Sequence, residues 1–442
     1  MSAPDAGPVG EPDADAAAPC RVAFVTQWFP PEPTHTPLWI AQALRRQGLD
    51  IDVLTGIPNY PTGVVHPGYS ARRRRVERHD GFRVTRTPLY PSHDRSVSGR
   101  AANYGSYALS AALLGAPVLR AADVALVYSS PATAAVPALL ARLRWRIPYV
   151  LMVMDLWPDS VFATGFLTTG VNRRIAEAAL TALTRQAYRW ADHVAVTSPG
   201  MRDALVDRGV PAERLSVVYN WADEKVMQPT EPDHQLRGRL GLDRGFVLMY
   251  GGNHGAAQRL DVAIQAMAQL RDLPDVHLVL VGEGVEKPAL RALAHRLGLR
   301  TVHFVDPVPP ARMPAVLASA DLHLVCLADQ PLFRMTLPSK VQSLLACGQP
   351  VLCCAPGDAT RAVTEAGAGL TAPPEDPVAL AQAIRRAYAM PAAQLRAMGR
   401  AGYHHYLATM SESINAGRLA DLLSDAARRR RQHHRDQRNE RR

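Results

Sequence analysis

Short apolar runs alternate with longer helix-like runs along most of this chain, and the alternation limits the fold more than any other feature. The first example is an apolar run at residues 21–29, a helix-like run at 38–47 and a second apolar run at 50–56. A strand, helix, strand order of this kind opens a doubly wound parallel sheet, where ligands approach the carboxyl ends of the strands. The sequence therefore predicts an α/β fold.

The alternation occurs twice. At 442 residues the chain is too long for one hydrophobic core, and its apolar pattern lapses into Asp, Glu, Pro and Gln between residues 220 and 240. We therefore predict two Rossmann-like domains joined by a linker. The predicted segments are a disordered leader at 1–20, a first domain at 21–219, a linker at 220–242, a second domain at 243–395, closing helices at 396–427 and a basic tail at 428–442.

The net charge of +10 is unevenly distributed along the chain. Residues 428–442 carry +6 and residues 1–20 carry −4, which leaves +8 for the body. A modest basic excess fits acidic ligands or an anionic membrane surface as well as nucleic acid. Because no basic, aromatic-interleaved strand or recognition helix is present, we expect no nucleic-acid partner. The tail lacks an apolar face, so it should be solvated or touch acidic lipid.

The five cysteines form no CxxC pair, and no histidine cluster has the spacing of metal ligands. Buried free thiols in a reducing compartment are therefore expected, with no metal site. Residues 1–19 lack the apolar region of a signal peptide. We expect a cytoplasmic protein, with possible contact to the inner face of the membrane.

One apolar helix-like run, residues 104–119, bears on membrane contact. It has 16 residues and contains Pro117, so it is too short to span a bilayer. Together with the arginines at 72–75 and with Trp145 between Arg144 and Arg146, it could form a basic, aromatic-edged interfacial surface. A buried helix beside a solvated charge run explains the same residues, and the sequence leaves both interpretations open.

Residues 333–354 combine the features of an anion-binding helix start. Pro338 and Ser339 suit the first turn, Lys340 places a cation beside its unpaired N–H groups, and Gly348 is placed to end the helix before a strand. The amides and the dipole of a helix start favour negative charge, and phosphate is the usual guest. The alternative is a capped core helix with a solvated lysine.

A second candidate for phosphate binding is the glycine-containing segment 250–255, which follows a predicted strand and precedes a helix. Glycine lets backbone N–H groups approach a phosphate closely, although a plain turn would have the same composition. This segment and the Ser339–Lys340 helix start belong at the carboxyl edge of one sheet. A single diphosphate would satisfy both.

The motifs and their order resemble the nucleotide-sugar-dependent glycosyltransferases of family 4, which have the two-Rossmann GT-B fold. The likeness is greatest to bacterial L-fucosamine-type transferases of O-antigen, capsule and exopolysaccharide assembly, and it covers residues 21–389. The motifs are Phe29–Glu32, Pro58–Pro61, His66–Tyr69, Tyr90–Ser92, Asp155–Asp159, Ser198–Met201, Gly252–Asn253 with Gln258, and Leu337–Lys340. Two domains facing each other across a cleft are implied.

The resemblance also implies roles for individual residues. The donor diphosphate would lie against Gly252, Asn253 and Gln258 or Arg259 on one side and against Ser339 and Lys340 on the other. Glu283 falls near nucleotide contacts and Asp358 near the donor sugar. On the acceptor side, Asp155 would face the cleft with Trp157 and Asp159, and His35 would face the acceptor with the Asn59 loop.

Two departures from the family pattern affect these assignments. Much of the family carries two glutamates eight positions apart, the second of which binds the ribose, and here those positions are Met335 and Ser343. The usual Arg and Lys pair at the diphosphate is reduced to Asn253 and Arg259. We therefore expect Lys340, with Arg334 or Arg259, to supply most of the positive charge at the diphosphate, and Ser343 to be a weaker ribose ligand.

The family implies a retaining transfer in which the departing diphosphate helps to deprotonate the acceptor hydroxyl. The protein would stabilise the leaving group through Lys340 and position the acceptor through Asp155, Asp159 and His35. Neither a metal ion nor a cofactor is expected, because the nucleotide sugar is itself a substrate.

The expected reaction moves a sugar, such as an N-acetylamino or deoxy sugar, from a donor that is best taken as UDP-linked to a glycan or polyprenyl-linked glycan. Two alternatives remain open: a nucleotide-sugar 2-epimerase of the same fold, and a catalytically degenerate binding protein.

Overall fold

The computed structural model describes residues 19–92, 97–160, 171–242 and 244–440. Nearly all of the predicted leader lies outside the described residues. The described chain forms two parallel sheets covered by helices, which confirms the α/β prediction.

The first sheet has eight strands in the order β3-β4-β2-β1-β5-β6-β7-β8. All neighbouring pairs are parallel except β3 and β4, which form an antiparallel hairpin around Asp80 and Gly81. The strands are β1 Arg21–Val25, β2 Asp50–Gly56, β3 Arg75–His79, β4 Phe82–Thr87, β5 Val124–Ser129, β6 Tyr149–Val153, β7 His193–Val196 and β8 Leu215–Val217. The helices are α1 His35–Arg46, α2 Val97–Leu114, α3 Ala116–Ala121, α4 Ala135–Trp145, α5 Val171–Trp190 and α6 Pro199–Asp207.

The second sheet has six parallel strands in the order β11-β10-β9-β12-β13-β14. They are β9 Phe246–Gly251, β10 Val276–Val281, β11 Val302–Val305, β12 Leu322–Cys326, β13 Val351–Cys354 and β14 Gly369–Thr371. The helices, in chain order, are α7 His234–Leu240, α8 Leu260–Met267, α9 Lys287–Arg296, α10 Met313–Ala318, α11 Pro331–Arg334, α12 Ser339–Ala346, α13 Asp358–Glu365, α14 Pro377–Tyr388, α15 Ala392–His405 and α16 Glu412–Glu440.

Central strands of both sheets are apolar on both faces because helices cover both sides. Every residue of β6 and of β12 is buried. Such near-continuous apolar runs are typical of parallel strands, and they explain why these strands were predictable from the sequence.

Strand order creates one crevice in each sheet. In the first sheet, the strands that follow β1 are added on one side and the strands that follow β5 are added on the other side. In the second sheet, the same reversal of direction occurs between β9 and β12. Helices leave opposite faces at such a switch point, so a crevice opens at the carboxyl ends of the two strands. The loops after β1, β5, β9 and β12 therefore lie where ligands bind in this class of fold.

The last helix, α16, returns to the first domain. Its apolar residues Ala416, Leu419, Leu423 and Ala427 are buried in the core of the first sheet. The helix also continues through the predicted basic tail to Glu440. Arg428 and Arg429 are exposed, as expected of a solvated tail, whereas Arg430 is half-buried. Arg430 donates hydrogen bonds to the carbonyl oxygens of Ala122 and Asp123, because the preceding apolar turns bring it against the sheet.

Candidate functional site

A cavity of about 340 Å³ opens at the β9/β12 switch point of the second sheet. It lies between the loop after β9 and the start of α12. Its polar lining includes six residues that the sequence assigned to the donor: Gly252, Asn253, Gln258, Ser339, Lys340 and Ser343.

Lys340 is the cation of this cavity. Helix α12 begins at Ser339, and Pro338, which was predicted in the first turn, precedes it in an extended conformation. Gly348 follows the end of the helix with φ +66°, as predicted. The Lys340 ammonium lies over the Tyr250 ring, 2.9 Å from the ring centroid. Within the described part of the chain it has no hydrogen bond or ion pair with a carboxylate. Burial lowers its pKa well below the usual range of lysine.

The loop after β9 requires its glycine. Gly252 has φ +140°, and a Cβ there would lie 3.4 Å from both Cε and Nζ of Lys340. The Gly252 N–H donates to the Val281 carbonyl at 2.9 Å, and the Tyr250 hydroxyl donates to the Asn253 carbonyl at 2.7 Å. The loop and the lysine therefore lie against each other, as a shared diphosphate site requires.

Arg259 and Arg334, the other expected cations, do not line this cavity. Arg259 forms ion pairs with Asp261 and Glu375. Arg334 forms two hydrogen bonds of 3.0 Å with the carboxylate of Asp329. Both guanidinium groups are thus neutralised by carboxylates in this structure, and Lys340 alone of the three expected cations faces the cavity.

Glu283 also lies outside the cavity lining. Its carboxylate accepts a hydrogen bond of 2.8 Å from Lys287, which also donates to Asp306 at 2.8 Å and to the Gly282 carbonyl at 2.9 Å. The Lys287 ammonium lowers the pKa of Glu283. This cluster links the loops after β10 and β11, and the role of Glu283 at the nucleotide stays a prediction.

Asp358 connects the two domains. Its buried carboxylate accepts a hydrogen bond of 2.7 Å from the Gly200 N–H at the start of α6, and one of 2.6 Å from Arg361. Nearby, the Ser198 hydroxyl donates to the Met335 carbonyl at 2.6 Å. The Ser198–Met201 motif is therefore an interdomain contact, and Met335, where the family has a glutamate, packs against the first-domain core.

In the first domain, Asp155 follows β6 and accepts a hydrogen bond of 3.2 Å from the Ser130 hydroxyl after β5. Burial raises the pKa of Asp155, and the hydrogen bond from Ser130 offsets only part of this effect. His35 is exposed at the start of α1, with its ring stacked on Trp39. Asp159, by contrast, forms a surface ion pair of 2.8 Å with Arg208, the residue after the end of α6.

An aromatic cluster, Trp28, Tyr60, Tyr104 and Trp157, lies at the carboxyl edge of the first sheet. Neighbouring ring centroids are 5.3 Å apart for Trp28 and Tyr60, 6.3 Å for Trp28 and Tyr104, and 5.9 Å for Tyr104 and Trp157. Sequence reasoning singled out Trp157 and the Tyr60 loop but missed Trp28 and Tyr104. The available signal was that Tyr60 and Trp157 follow apolar strand-like runs and that Trp28 lies at the end of one.

Buried polar residues fix this cluster. The Glu32 carboxylate accepts hydrogen bonds from the N–H groups of Phe29, Asn59 and Tyr60 at 2.9–3.1 Å. Burial raises the pKa of Glu32 to about 6, against the effect of these hydrogen bonds. The Asn103 side chain of α2 bonds to the side chains of Gln27 and Asn59. The loops after β1 and β2 and helix α2 are thereby held together.

Among the described helices, none is both long and apolar enough to cross a membrane. Helix α2, which contains most of the predicted interfacial run, exposes Leu109 and Leu113 by 62% and 66%. Its other face is buried, as Tyr107 and Ala111 show. One face of this run is therefore buried and the other is exposed.

Comparison with known proteins accounts for both domains. Residues 33–221 match a family model described as a glycosyl transferase 4-like domain, and residues 245–390 match one described as glycosyl transferases group 1. A protein of Escherichia coli (strain K12) named as colanic acid biosynthesis glycosyl transferase WcaI is 30% identical over 361 residues, which cover 79% of this chain and 86% of that protein. The GDP-mannose-dependent alpha-mannosyltransferase of Mycolicibacterium smegmatis is 26% identical over 75% of this chain and 79% of its own length.

Solved structures show the same fold at low sequence identity. Anabaena Alr3699/HepE in complex with UDP superposes with a TM-score of 0.66 at 19% identity, covering 92% of this chain and 100% of that one. Sucrose-phosphate synthase from Thermosynechococcus elongatus gives a TM-score of 0.68 at 19% identity, with coverage of 92% and 98%.

Proposed function

Because this chain belongs to the family 4 glycosyltransferases of the GT-B fold, we propose that it transfers a sugar from UDP to a hydroxyl of a glycan or lipid-linked glycan, with retention of anomeric configuration. The observation that carries the proposal is the convergence of the Gly252 loop and Lys340 on one cavity. The setting is cell-surface polysaccharide assembly, the process named for the relative WcaI.

The donor diphosphate binds between the N-terminus of α12 and the Gly252 loop. Free N–H groups at the helix start and the Lys340 ammonium supply positive charge, and a charge-assisted hydrogen bond to phosphate contributes on the order of 1.5–3 kcal/mol. Ser343 lies one turn into α12 and lines the same cavity. It takes the place of the glutamate that binds ribose in much of the family, as a neutral and weaker ligand.

The base is uracil in this proposal. Support comes from structural neighbours whose structures contain UDP or UDP-glucose, whereas one sequence relative is named as GDP-mannose-dependent. Thermal-shift measurements with UDP, GDP and ADP test the point. A nucleotide present at 100 times its Kd stabilises the folded protein by about 2.7 kcal/mol. Stabilisation by GDP but not UDP would overturn the choice of uracil.

Retention follows a front-face displacement in which the departing phosphate oxygen accepts the proton of the acceptor hydroxyl. The C–O bond to the diphosphate breaks as the new glycosidic bond forms on the same face. The role of this chain is to stabilise charge on the leaving diphosphate with Lys340 and to orient the acceptor near Asp155. An NMR assignment of the anomeric configuration in the product tests this mechanism, and an inverted product would contradict it.

The acceptor is a carbohydrate bound on the aromatic cluster. Aromatic faces stack on the apolar C–H faces of sugar rings, and Trp28, Tyr60 and Tyr104 are each partly exposed. Asp155 and Trp157 belong to the same loop, which places the carboxylate beside the platform. Incubation of the protein with donor alone separates this proposal from the 2-epimerase, which would convert the donor without an acceptor.

Neither a metal ion nor a cofactor takes part in the proposed reaction, since the charge on the diphosphate is met by Lys340 and backbone N–H groups. We place the enzyme on the inner face of the cytoplasmic membrane. The exposed leucines of α2 and the basic excess of the chain support this contact.

A further inference from the structure

A second cavity, of about 540 Å³, lies at the amino edge of the first sheet, on the side opposite its crevice. The end of α4, the starts of β6 and β7, the end of α5 and the basic part of α16 enclose it. We propose that this cavity binds the phosphate headgroup of an anionic membrane lipid. Its lining residues are Arg142, Leu143, Arg146, Pro148, Trp190, Asp192, Ala426, Arg429, Arg430 and His433.

The lining has a large excess of positive charge. Against four arginines and one histidine it has a single carboxylate, Asp192, which Arg142 already approaches at 3.3 Å. The Tyr149 N–H donates to the same carboxylate at 3.1 Å. Arg429 also acts electrostatically on Asp192, so several arginines share the charge of this one carboxylate.

The contacts of the individual arginines also indicate an anion-binding site. The Nη1 of Arg146 donates a hydrogen bond of 3.4 Å to Nε2 of His433, so this contact supplies no negative charge to the guanidinium. Arg429 has no hydrogen bond or ion pair with any residue in the described ranges. The Nε of Arg430 is buried without a hydrogen-bond partner there, although Nη1 binds two backbone carbonyls. A bound anion would relieve the repulsion between these groups.

The surroundings of the cavity favour a lipid over a soluble phosphate. On its rim, Leu143 is 52% exposed and Trp190 is 40% exposed, and Leu140 lies one turn earlier on α4. Helix α2 packs against α4 and adds the exposed Leu109 and Leu113. Exposed leucines and tryptophan beside arginines form the composition that binds the headgroup and upper acyl region of an anionic bilayer.

The position also leaves the enzyme accessible. A membrane at the amino edge of the first sheet does not cover the crevices, which open at the carboxyl edges. The inference rests on the proposed membrane contact and names the site responsible for it. It also gives the basic part of α16 a binding role.

Co-sedimentation of the full chain with vesicles tests the proposal. We expect binding to phosphatidylcholine vesicles that contain phosphatidylglycerol and little binding to phosphatidylcholine alone. In R146Q/R429Q, the partition constant should fall about thirtyfold, since each arginine near an anionic surface contributes about a factor of five. The matched control is R396Q/R400Q, which removes the same charge from exposed positions on α15 and should change partitioning by less than about threefold.

The outcomes are distinguishable. Equal loss of binding in both double variants would show a net-charge effect and overturn the cavity proposal while leaving membrane contact intact. Failure of the wild-type chain to bind any vesicle would overturn both. A third outcome is that the wild type does not bind vesicles but is stabilised against heat by inorganic phosphate, whereas R146Q/R429Q is not stabilised. The ligand would then be a soluble phosphate, which would overturn the choice of a lipid. Single variants R146Q and R429Q give a second reading if the double variant fails to fold.

Discussion

At the residue scale, Lys340 is the centre of the proposed donor site. It is a cation that the folded protein partly desolvates and pairs with an aromatic ring instead of a carboxylate. Desolvation disfavours the charged form, so the unliganded site is strained electrostatically until an anion arrives. Folding therefore places an unfavourable charge where the diphosphate is expected.

The first prediction concerns stability. The pKa of Lys340 is lower in the folded chain than its ordinary value near 10.5. Between these two pKa values the unfolded chain therefore binds more protons than the folded chain. At pH values below the folded pKa both states carry the ammonium, and its burial lowers the free energy of unfolding. In the unliganded protein, Lys340→Met should raise the thermal midpoint by about 2 °C at neutral pH. Differential scanning calorimetry measures this, with exposed Lys225→Met as the control that should leave the midpoint unchanged. A lower midpoint in Lys340→Met would mean that the ammonium stabilises the fold.

The second prediction concerns pH. A bound diphosphate raises the pKa of Lys340 from its lowered value, so binding takes up a proton whenever the pH lies between the free and bound pKa values. UDP affinity should be constant below the free pKa and fall by at most about tenfold per pH unit above it. Isothermal titration calorimetry in buffers of different ionisation enthalpy measures the proton uptake. If Lys340→Met took up as many protons on binding UDP as the wild type does, Lys340 would not be the source of the uptake.

Sequence reasoning brought Lys340, Gly252, Asn253 and Ser343 together because each belongs to a local pattern at a strand end or a helix start, and all four line one cavity. It did not predict that Arg259 and Arg334 form ion pairs with carboxylates of the chain. Arg259 pairs with Glu375, which is 116 positions away, and no local pattern contains such a contact. The hydrogen bond between Asp358 and Gly200 was not predicted for the same reason, since Gly200 lies in the other domain.

At the element scale, loops and helices from distant parts of the chain build the acceptor side. Tyr107 of α2 is fully buried and donates hydrogen bonds to the carbonyls of Thr26 at the end of β1 and Leu54 in β2. This anchor fixes the helix that carries Tyr104. The aromatic cluster is therefore a preformed surface.

The third prediction concerns this surface. Trp28→Ala should raise KM for the acceptor about fivefold to tenfold, because a stacked aromatic pair contributes on the order of 1 kcal/mol beyond its buried area. KM for the donor should stay unchanged, and Trp28→Phe should restore much of the acceptor affinity. Steady-state kinetics with each substrate varied in turn measures both constants. An equal rise in both KM values would indicate a general structural defect.

The fourth prediction concerns the interdomain contact at the start of α6. A Cβ on Gly200 would lie 2.7 Å from Oδ2 of Asp358 and 3.0 Å from Cα of Met335. Gly200→Ala should therefore separate this contact, lower the thermal midpoint and increase the radius of gyration in small-angle X-ray scattering. Gly417→Ala in α16 is the matched control, because a Cβ there meets no atom within 4 Å and alanine favours helix. Unchanged scattering from Gly200→Ala would show that the contact does not set domain separation.

At the scale of the whole molecule, the fold was largely predictable and the connections between its halves were not. Two series of apolar strands separated by a polar stretch predict two parallel sheets, and the described chain has them. The return of α16 to the first domain depends on which apolar faces are left uncovered in three dimensions, and periodicity carries no such information.

Donor binding at the β9/β12 crevice is the central claim, and titration of UDP into the wild type, Lys340→Met and Lys225→Met tests it most directly. Loss of one charge-assisted phosphate contact should weaken binding about tenfold to a hundredfold in Lys340→Met. Lys225→Met should bind as the wild type does. Equal UDP affinity in all three proteins would contradict the claim.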